Sequence, residues 1–166
     1  MPDGLLPTPL DAAGGGAVAT LDPQAVVEGF LAAMMAGDAD GALDLVHDDI
    51  LYVNVGLPAL RGRRQVEKVL RGLDRPSMGF EVYLHAISAD GATVLTERTD
   101  VLRFGRFRSQ FWVWGRFDVR DGKVVLWRDA FDFVDIVRAN LRGLLGLVVP
   151  ALRPKAPASL DAAPGR

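Results

Sequence analysis

Apolar and polar positions change period about half-way along the chain. Between Asp22 and Leu73 the apolar residues recur at helical spacing, and from Phe80 to Phe133 they alternate as strands do. Val26, Val27, Phe30, Leu31 and Met34 form one stripe, which predicts a helix opened by Asp22-Pro23 and closed at Gly37. Asp38 is placed to cap a second, short helix carrying Ala42, Leu43 and Val46. Ile50 to Val55 reads as a strand, Pro58 and Gly62 punctuate a loop, and Gln65 to Leu73 is a third helix burying Val66, Val69, Leu70 and Leu73.

Phe80 to Ile87, Thr93 to Phe104, Ser109 to Val119 and Lys123 to Phe133 suit four long strands, with Asp90-Gly91 and Asp121-Gly122 as hairpin turns. Helices followed by an antiparallel meander make an α+β domain. A final amphipathic segment from Val134 to Val149 is stopped by Pro150. Its apolar run Leu144 to Val149 is too short to span a bilayer. We place one domain over residues 22–149. A proline- and glycine-rich leader over 1–21 and a Pro- and Ala-rich tail over 150–166 are read as flexible.

Composition removes several function classes. The chain has 166 residues, enough for one domain that buries roughly two-thirds of its unfolded surface. A formal charge of −2 gives no electrostatic reason for a nucleic-acid or membrane-surface partner. With no cysteine there is no disulfide, thiol nucleophile or thiolate metal site. The two histidines, His47 and His85, stand far apart with no ligand cluster around either, so no metal site is expected. The N-terminus lacks a basic segment followed by a continuous apolar core, so a secretory signal is not read there and the cytoplasm is the default location.

The candidate chemistry lies on the strands. Arg98 and Asp100 are two positions apart and share a sheet face, as do Tyr52 and Asn54, while Asp129 lies on the last strand. A sheet wrapped around a pocket would turn all five inward. Arg98 between Asp100 and Asp129 could then pair with both, and two carboxylates sharing one cation need not ionise alike. One could stay protonated as a general acid while the other acts as base on a water oriented by Tyr52 and Asn54.

Each residue also has a plainer reading. An Arg-x-Asp on a strand is commonly a solvated pair, Tyr52 a half-buried core residue, Asn54 a turn former, and Asp129 a partner for Arg128. The cluster Arg61 to Arg64 reads as a solvated helix start, and His85 as a surface residue. Phe111 and Val113 alternate with Trp112 and Trp114, so one pair lines a pocket and the other packs outside. No Gly-x-Ser-x-Gly nucleophile elbow is present.

Taken together, Tyr52-x-Asn54, Arg98-x-Asp100 and Trp127-Arg128-Asp129-Ala130-Phe131-Asp132 resemble the limonene-1,2-epoxide hydrolase family in order and spacing. Glu97, Val101-Leu102-Arg103, Gly115, Phe117 and Asp121-Gly122-Lys123 extend the likeness, which covers about Asp22 to Leu145. The resemblance implies a cone-like curved sheet, mixed or antiparallel, wrapped around N-terminal helices in the nuclear transport factor 2-like, SnoaL-like or cystatin-like manner, with a deep apolar pocket. It implies a homodimer and an epoxide hydrolase that needs no cofactor. The residues matching Tyr52, Asn54 and Asp129 would hold a water, Asp129 would take its proton, Asp100 would protonate the epoxide oxygen, and Arg98 would bridge the carboxylates without a covalent intermediate. Alternation adds Leu102, Phe111, Val113, Phe117 and Phe131 as apolar lining suited to a lipophilic epoxide. A ketosteroid-isomerase-like or polyketide-cyclase-like enzyme and a non-catalytic lipid-binding module are the competing readings of the same layout.

Overall fold

The apolar stripe of the first helix sets the architecture, because it needs a sheet face to cover it. In the computed structural model, which describes residues 22–155, helix α1 (Pro23–Ala36) packs against the sheet through Val26, Val27, Phe30, Leu31 and Met34. The leader assigned to 1–21 lies outside the described residues. Asp22 caps α1 by accepting from Gln24 N at 3.3 Å, and Gly37 ends it with φ of +68°, a left-handed geometry that favours glycine.

Helix α2 (Ala39–Asp44) starts at Asp38, whose Oδ1 accepts from Gly41 N at 2.8 Å. It is shorter than the sequence suggests. Val46, expected on α2, opens strand β1 (Val46–Asn54) and pairs with Val124, a better place for a β-branched side chain. The loop after β1 contains a two-residue strand β2 (Leu60–Arg61), and helix α3 (Arg63–Leu73) begins two residues earlier than expected, directly after Gly62.

Strands β3 (Met78–Asp90), β4 (Thr93–Phe104), β5 (Phe107–Arg120) and β6 (Lys123–Ala130) form the expected antiparallel meander. Strand β6 stops short of Phe133 because Asp132 turns to cap helix α4 (Phe133–Val148), accepting from Val134 N at 2.7 Å. The six-stranded sheet runs β2-β1-β6-β5-β4-β3, with β1 parallel to β6, so it is mixed. Register shifts in the β1/β6, β3/β4 and β5/β6 pairs bend this curved, unclosed sheet.

Helix α4 lies along β5, and Gly143 sits so near the carbonyl of Arg108 that a Cβ would meet it at 2.5 Å. The first residues assigned to the flexible tail are docked instead. Pro150–Leu152 form a turn of 3₁₀ helix, Arg153 Nε donates to the Gly146 carbonyl at 3.1 Å, and Pro154 is buried. Proline ends an α-helix but is well suited to the first position of the next turn. The remainder of that tail, 156–166, lies outside the described residues. The core beneath the sheet centres on Phe30, Phe117 and Trp127, whose rings lie 5.2 to 6.4 Å apart.

Candidate active site

Strand register brings the five polar candidates together. Tyr52 lies opposite Trp127 and Asn54 opposite Asp129 in the parallel β1/β6 pair, while Gly115 of β5 lies opposite both Asp129 and Thr96. Alternation along β4 then turns Arg98 and Asp100 to the face that carries Thr96. Gly115 is what lets the guanidinium cross β5. A Cβ there would clash with Arg98 Nη1 and Thr96 Oγ1, so glycine is needed for a close approach.

Arg98 is completely buried and spends its donors on three acidic or polar partners. Nε donates to Asp100 Oδ1 at 2.9 Å and Nη2 to Asp100 Oδ2 at 3.3 Å, a two-point fork. Nη2 also stands 2.7 Å from Asp129 Oδ1, and Nη1 donates to Thr96 Oγ1 at 3.0 Å. The Asp129 contact is an ion pair lying off the N–H direction, so Oδ1 of Asp129 has no aligned donor, whereas its Oδ2 accepts from Trp127 Nε1 at 2.8 Å. Trp127 also stacks on Tyr52, with ring centroids 4.0 Å apart. Asn54 Nδ2 donates to Tyr52 Oη at 2.8 Å, which leaves the phenol O–H as a donor and the Asn54 carbonyl as an acceptor.

Two buried carboxylates with one cation carry a net negative charge if both ionise, and burial resists that. Burial pushes Asp100 up to about 6, with Asp129 adding to the rise and Arg98 opposing it. Asp129 is also raised, by burial first, against the pull of Arg98 and the Trp127 bond. Burial, then the charge of Asp129, holds the Tyr52 phenol well above its ordinary range. Burial alone would lower Arg98, but its two aspartates outweigh that and keep it cationic. Burial thus raises both carboxyls of the trio, Asp100 to about 6, so the pair resists full ionisation.

These groups open onto a cavity of about 230 Å³ lined by Tyr52, Asn54, Asp100 and Asp129 together with apolar side chains. Leu102, Phe111, Val113 and Phe131 line it as alternation suggested. Phe117 does not. It is wholly buried behind the site, its ring 5.7 Å from Arg98 Cζ and stacked toward Trp127, because Gly115 lets the guanidinium settle over it. Met34, Val69, Leu73, Phe80, Trp127 and Ile136 complete the apolar wall. The helical stripes marked the first three as buried, but not as cavity-facing.

Trp112 and Trp114 alternate onto the outer face, where Trp112 stacks on His85 with centroids 4.7 Å apart and His85 Nε2 meets Thr99 Oγ1 at 2.8 Å. His85 therefore stands apart from the site. A larger open groove of about 580 Å³ at the start of α3, lined by Arg61, Arg63, Arg64 and Lys68, shares no residue with the carboxylate cavity. Among the described residues, no three His, Cys, Asp or Glu side chains are grouped to hold a metal ion, and no helix is long and apolar enough to cross a membrane.

Residues 21–142 match the model of the limonene-1,2-epoxide hydrolase catalytic domain. The chain belongs to the limonene-1,2-epoxide hydrolase family. It is an enzyme of that type, an epoxide hydrolase. Epoxide hydrolase EphG of Mycobacterium tuberculosis is 50% identical over 127 residues, covering 76% of this chain and 85% of that protein. A solved LEH-like epoxide hydrolase from the same organism superposes with a TM-score of 0.77 at 47% identity, over 81% of this chain and 95% of the other. An NTF2-like protein from Burkholderia xenovorans shares the fold at 24% identity, with a TM-score of 0.58 over 71% of this chain and 95% of its own. The enzyme's polar constellation thus sits in the concave face of an NTF2-like cone.

Proposed function

We propose that the enzyme opens a lipophilic epoxide to a vicinal diol by direct attack of water, with no covalent enzyme intermediate. Asp129 accepts the water proton through Oδ1, Tyr52 and Asn54 orient that water with one donor and one acceptor, and Asp100 delivers its proton to the departing oxygen. Arg98 holds the two carboxylates in unlike protonation states. The observation that carries this reading is the fully buried Arg98 between Asp100 and Asp129, at 2.9 and 2.7 Å. An acid near 6 beside a carboxylate with one undirected oxygen provides both proton transfers, each worth roughly 10² to 10⁴ in rate. Ring strain supplies much of the driving force, so placing a water and neutralising an alkoxide suffices.

Arg98 also separates this reading from an isomerase or cyclase on the same fold, neither of which needs a cation between carboxylates. The apolar wall of Leu102, Phe111, Val113 and Phe131 favours a lipophilic substrate over a sugar or nucleotide.

A single turnover in water enriched in heavy oxygen tests the chemistry. With enzyme in excess, the first diol formed should carry the label. An unlabelled first diol, with label arriving only after the protein itself has acquired it, means a covalent ester and sinks the direct attack.

We further infer a homodimer. On α4, Val134, Val137, Leu141, Leu144 and Val148 repeat at alternating spacings of three and four and are 54% to 83% exposed, an apolar seam that a second copy would cover. Sedimentation equilibrium should return twice the chain mass, and a monomer at micromolar concentration removes the inference.

A further inference from the structure

Every N–H of Arg98 needs a partner inside the protein, because the residue is completely buried. Asp100 takes one edge of the guanidinium, through Nε and Nη2, and Nη2 also faces Asp129. The other edge, Nη1, donates to Thr96 Oγ1 at 3.0 Å. Thr96 is 4% exposed and stands two residues before Arg98 on β4, so the two side chains share a face. Gly115 lies opposite Thr96 on β5, and its missing Cβ leaves the space in which Nη1 and the hydroxyl meet.

We propose that Thr96 is a positioning residue of the hydrolysis: its hydroxyl holds the far edge of the Arg98 guanidinium and so keeps Nη2 between Asp100 and Asp129. The inference rests on the acid/base reading of the trio and adds to it the group that fixes its cation.

The requirement arises from the uneven grip of Arg98 on its two acids. Asp100 receives two directed N–H bonds, whereas the 2.7 Å contact with Asp129 Oδ1 lies off the N–H direction. A guanidinium held by the Asp100 fork alone can rock about that edge, and the contact with Asp129 is the one it would lose first. The Phe117 ring, 5.7 Å from Cζ, supports the face of the group but offers no acceptor to either edge. A neutral acceptor suits the position. A carboxylate at 96 would add a third negative charge to a buried cluster, and an apolar side chain would leave Nη1 bare.

The consequence falls on Asp129. It is faced by Arg98 and Asp100 from β4, by Tyr52 from β1 and by the Trp127 indole of its own strand, and Arg98 is the cation among them. Burial raises Asp129 and Arg98 opposes the rise, so a guanidinium that rocks away leaves this carboxyl higher still.

Thr96→Val keeps the shape and strand preference of threonine and deletes the acceptor, while Thr96→Ser keeps the hydroxyl. Thr96→Val should lower kcat about tenfold with KM nearly unchanged and move the rising limb of the kcat/KM profile to higher pH, and Thr96→Ser should restore both. In an Arg98→Lys background the valine substitution should change kcat by less than about twofold, because the group that Thr96 holds is gone. A wild-type kcat and limb in Thr96→Val, whatever its stability, overturns the proposal, as does an equal loss in both backgrounds. NMR of the arginine side-chain nitrogens reads the same contact without substrate. Separate Nη1 and Nη2 signals for Arg98 in wild type and Thr96→Ser, merged by faster rotation in Thr96→Val, uphold the hold on the guanidinium, and separate signals in Thr96→Val overturn it. If wild type opens no epoxide, the catalytic reading has failed by itself, and the NMR comparison alone judges Thr96.

Discussion

The same three-residue pattern occurs twice in the sheet with opposite consequences. Arg98-Thr99-Asp100 on β4 and Arg116-Phe117-Asp118 on β5 each form a two-point fork along one strand. Their Nε to Oδ1 distances are 2.9 and 3.0 Å, and their Nη2 to Oδ2 distances 3.3 and 3.2 Å. Local geometry does not distinguish them. The side chains of Arg98 and Asp100 are 0% and 7% exposed, whereas those of Arg116 and Asp118 are 36% and 16% exposed. Arg98 also has a second carboxylate, Asp129, and an apolar cavity beyond it, while the remaining neighbour of Asp118 is the hydroxyl of Thr93 at 3.0 Å. The Arg-x-Asp fork alone is thus a structural pair, and burial with an odd number of charges is what makes the inner one a candidate for acid/base work.

The largest contrast should come from the carboxylates. Asp129→Asn and Asp100→Asn should each lower epoxide hydrolysis by about 10³-fold or more, since each would remove one of the two proposed proton transfers. Asp118→Asn should leave turnover within twofold and stability within about 1 kcal/mol, as expected of a partly exposed pair. Steady-state kinetics with circular dichroism on all three variants would show this. Near-native turnover in either site variant would end the two-carboxylate mechanism.

The arginines sharpen the comparison next. Arg98→Lys should reduce kcat by about 10²-fold, because an ammonium cannot hold two carboxylates in one plane. Arg116→Lys should change neither rate nor melting temperature appreciably. If the two lysine variants behaved alike, bridging by Arg98 would not be what the site requires.

How much of this the sequence discloses follows from the range of the interactions involved. Helix stripes and strand alternation are local, so α1, α3 and the four-strand meander are legible, as is the shared face of Arg98 and Asp100. Three spaced motifs also name the family. The parallel pairing of β1 with β6, which sets Asn54 beside Asp129, depends on chain closure that no window of sequence contains. Gly115 matters only because it lies opposite both Asp129 and Thr96. Phe117 alternates correctly but lies behind Arg98, so it supports the guanidinium instead of lining the cavity. Val46 leaves α2 because Val124 offers a ladder partner, again a non-local choice.

The pH dependence of stability separates the pairs without any substrate. Asp100 titrates near 6 in the folded protein, above its unfolded value of about 4. The folded state therefore binds this proton more tightly, and stability falls as pH rises between those values. The stability associated with the protonated carboxyl is full below about pH 4 and lost as pH passes through about 6, a change on the order of 3 kcal/mol. Asp100→Asn should flatten that window in urea unfolding experiments, and Asp118→Asn should not. An unchanged slope in Asp100→Asn would mean the proton resides elsewhere in the trio.

The smallest expected effect concerns the neutral donor that fixes one carboxylate oxygen, the Thr93 hydroxyl on Asp118 in the outer fork and the Trp127 indole on Asp129 in the site. Trp127 Nε1 bonds Asp129 Oδ2 at 2.8 Å and its ring stacks on Tyr52, so one side chain positions both the proposed base and the phenol proposed to hold the water. Trp127→Phe keeps an aromatic ring for the stack and deletes the donor. The Trp127 bond pulls Asp129 downward against the rise due to burial, so its loss should move the rising limb of the kcat/KM profile to higher pH. We expect kcat to fall about tenfold, the loss of one hydrogen bond to a charged group, with KM nearly unchanged. A merely structural role for the indole would lower stability while leaving the pH limb in place. A shifted limb with retained fold therefore assigns Trp127 to the orientation of Asp129.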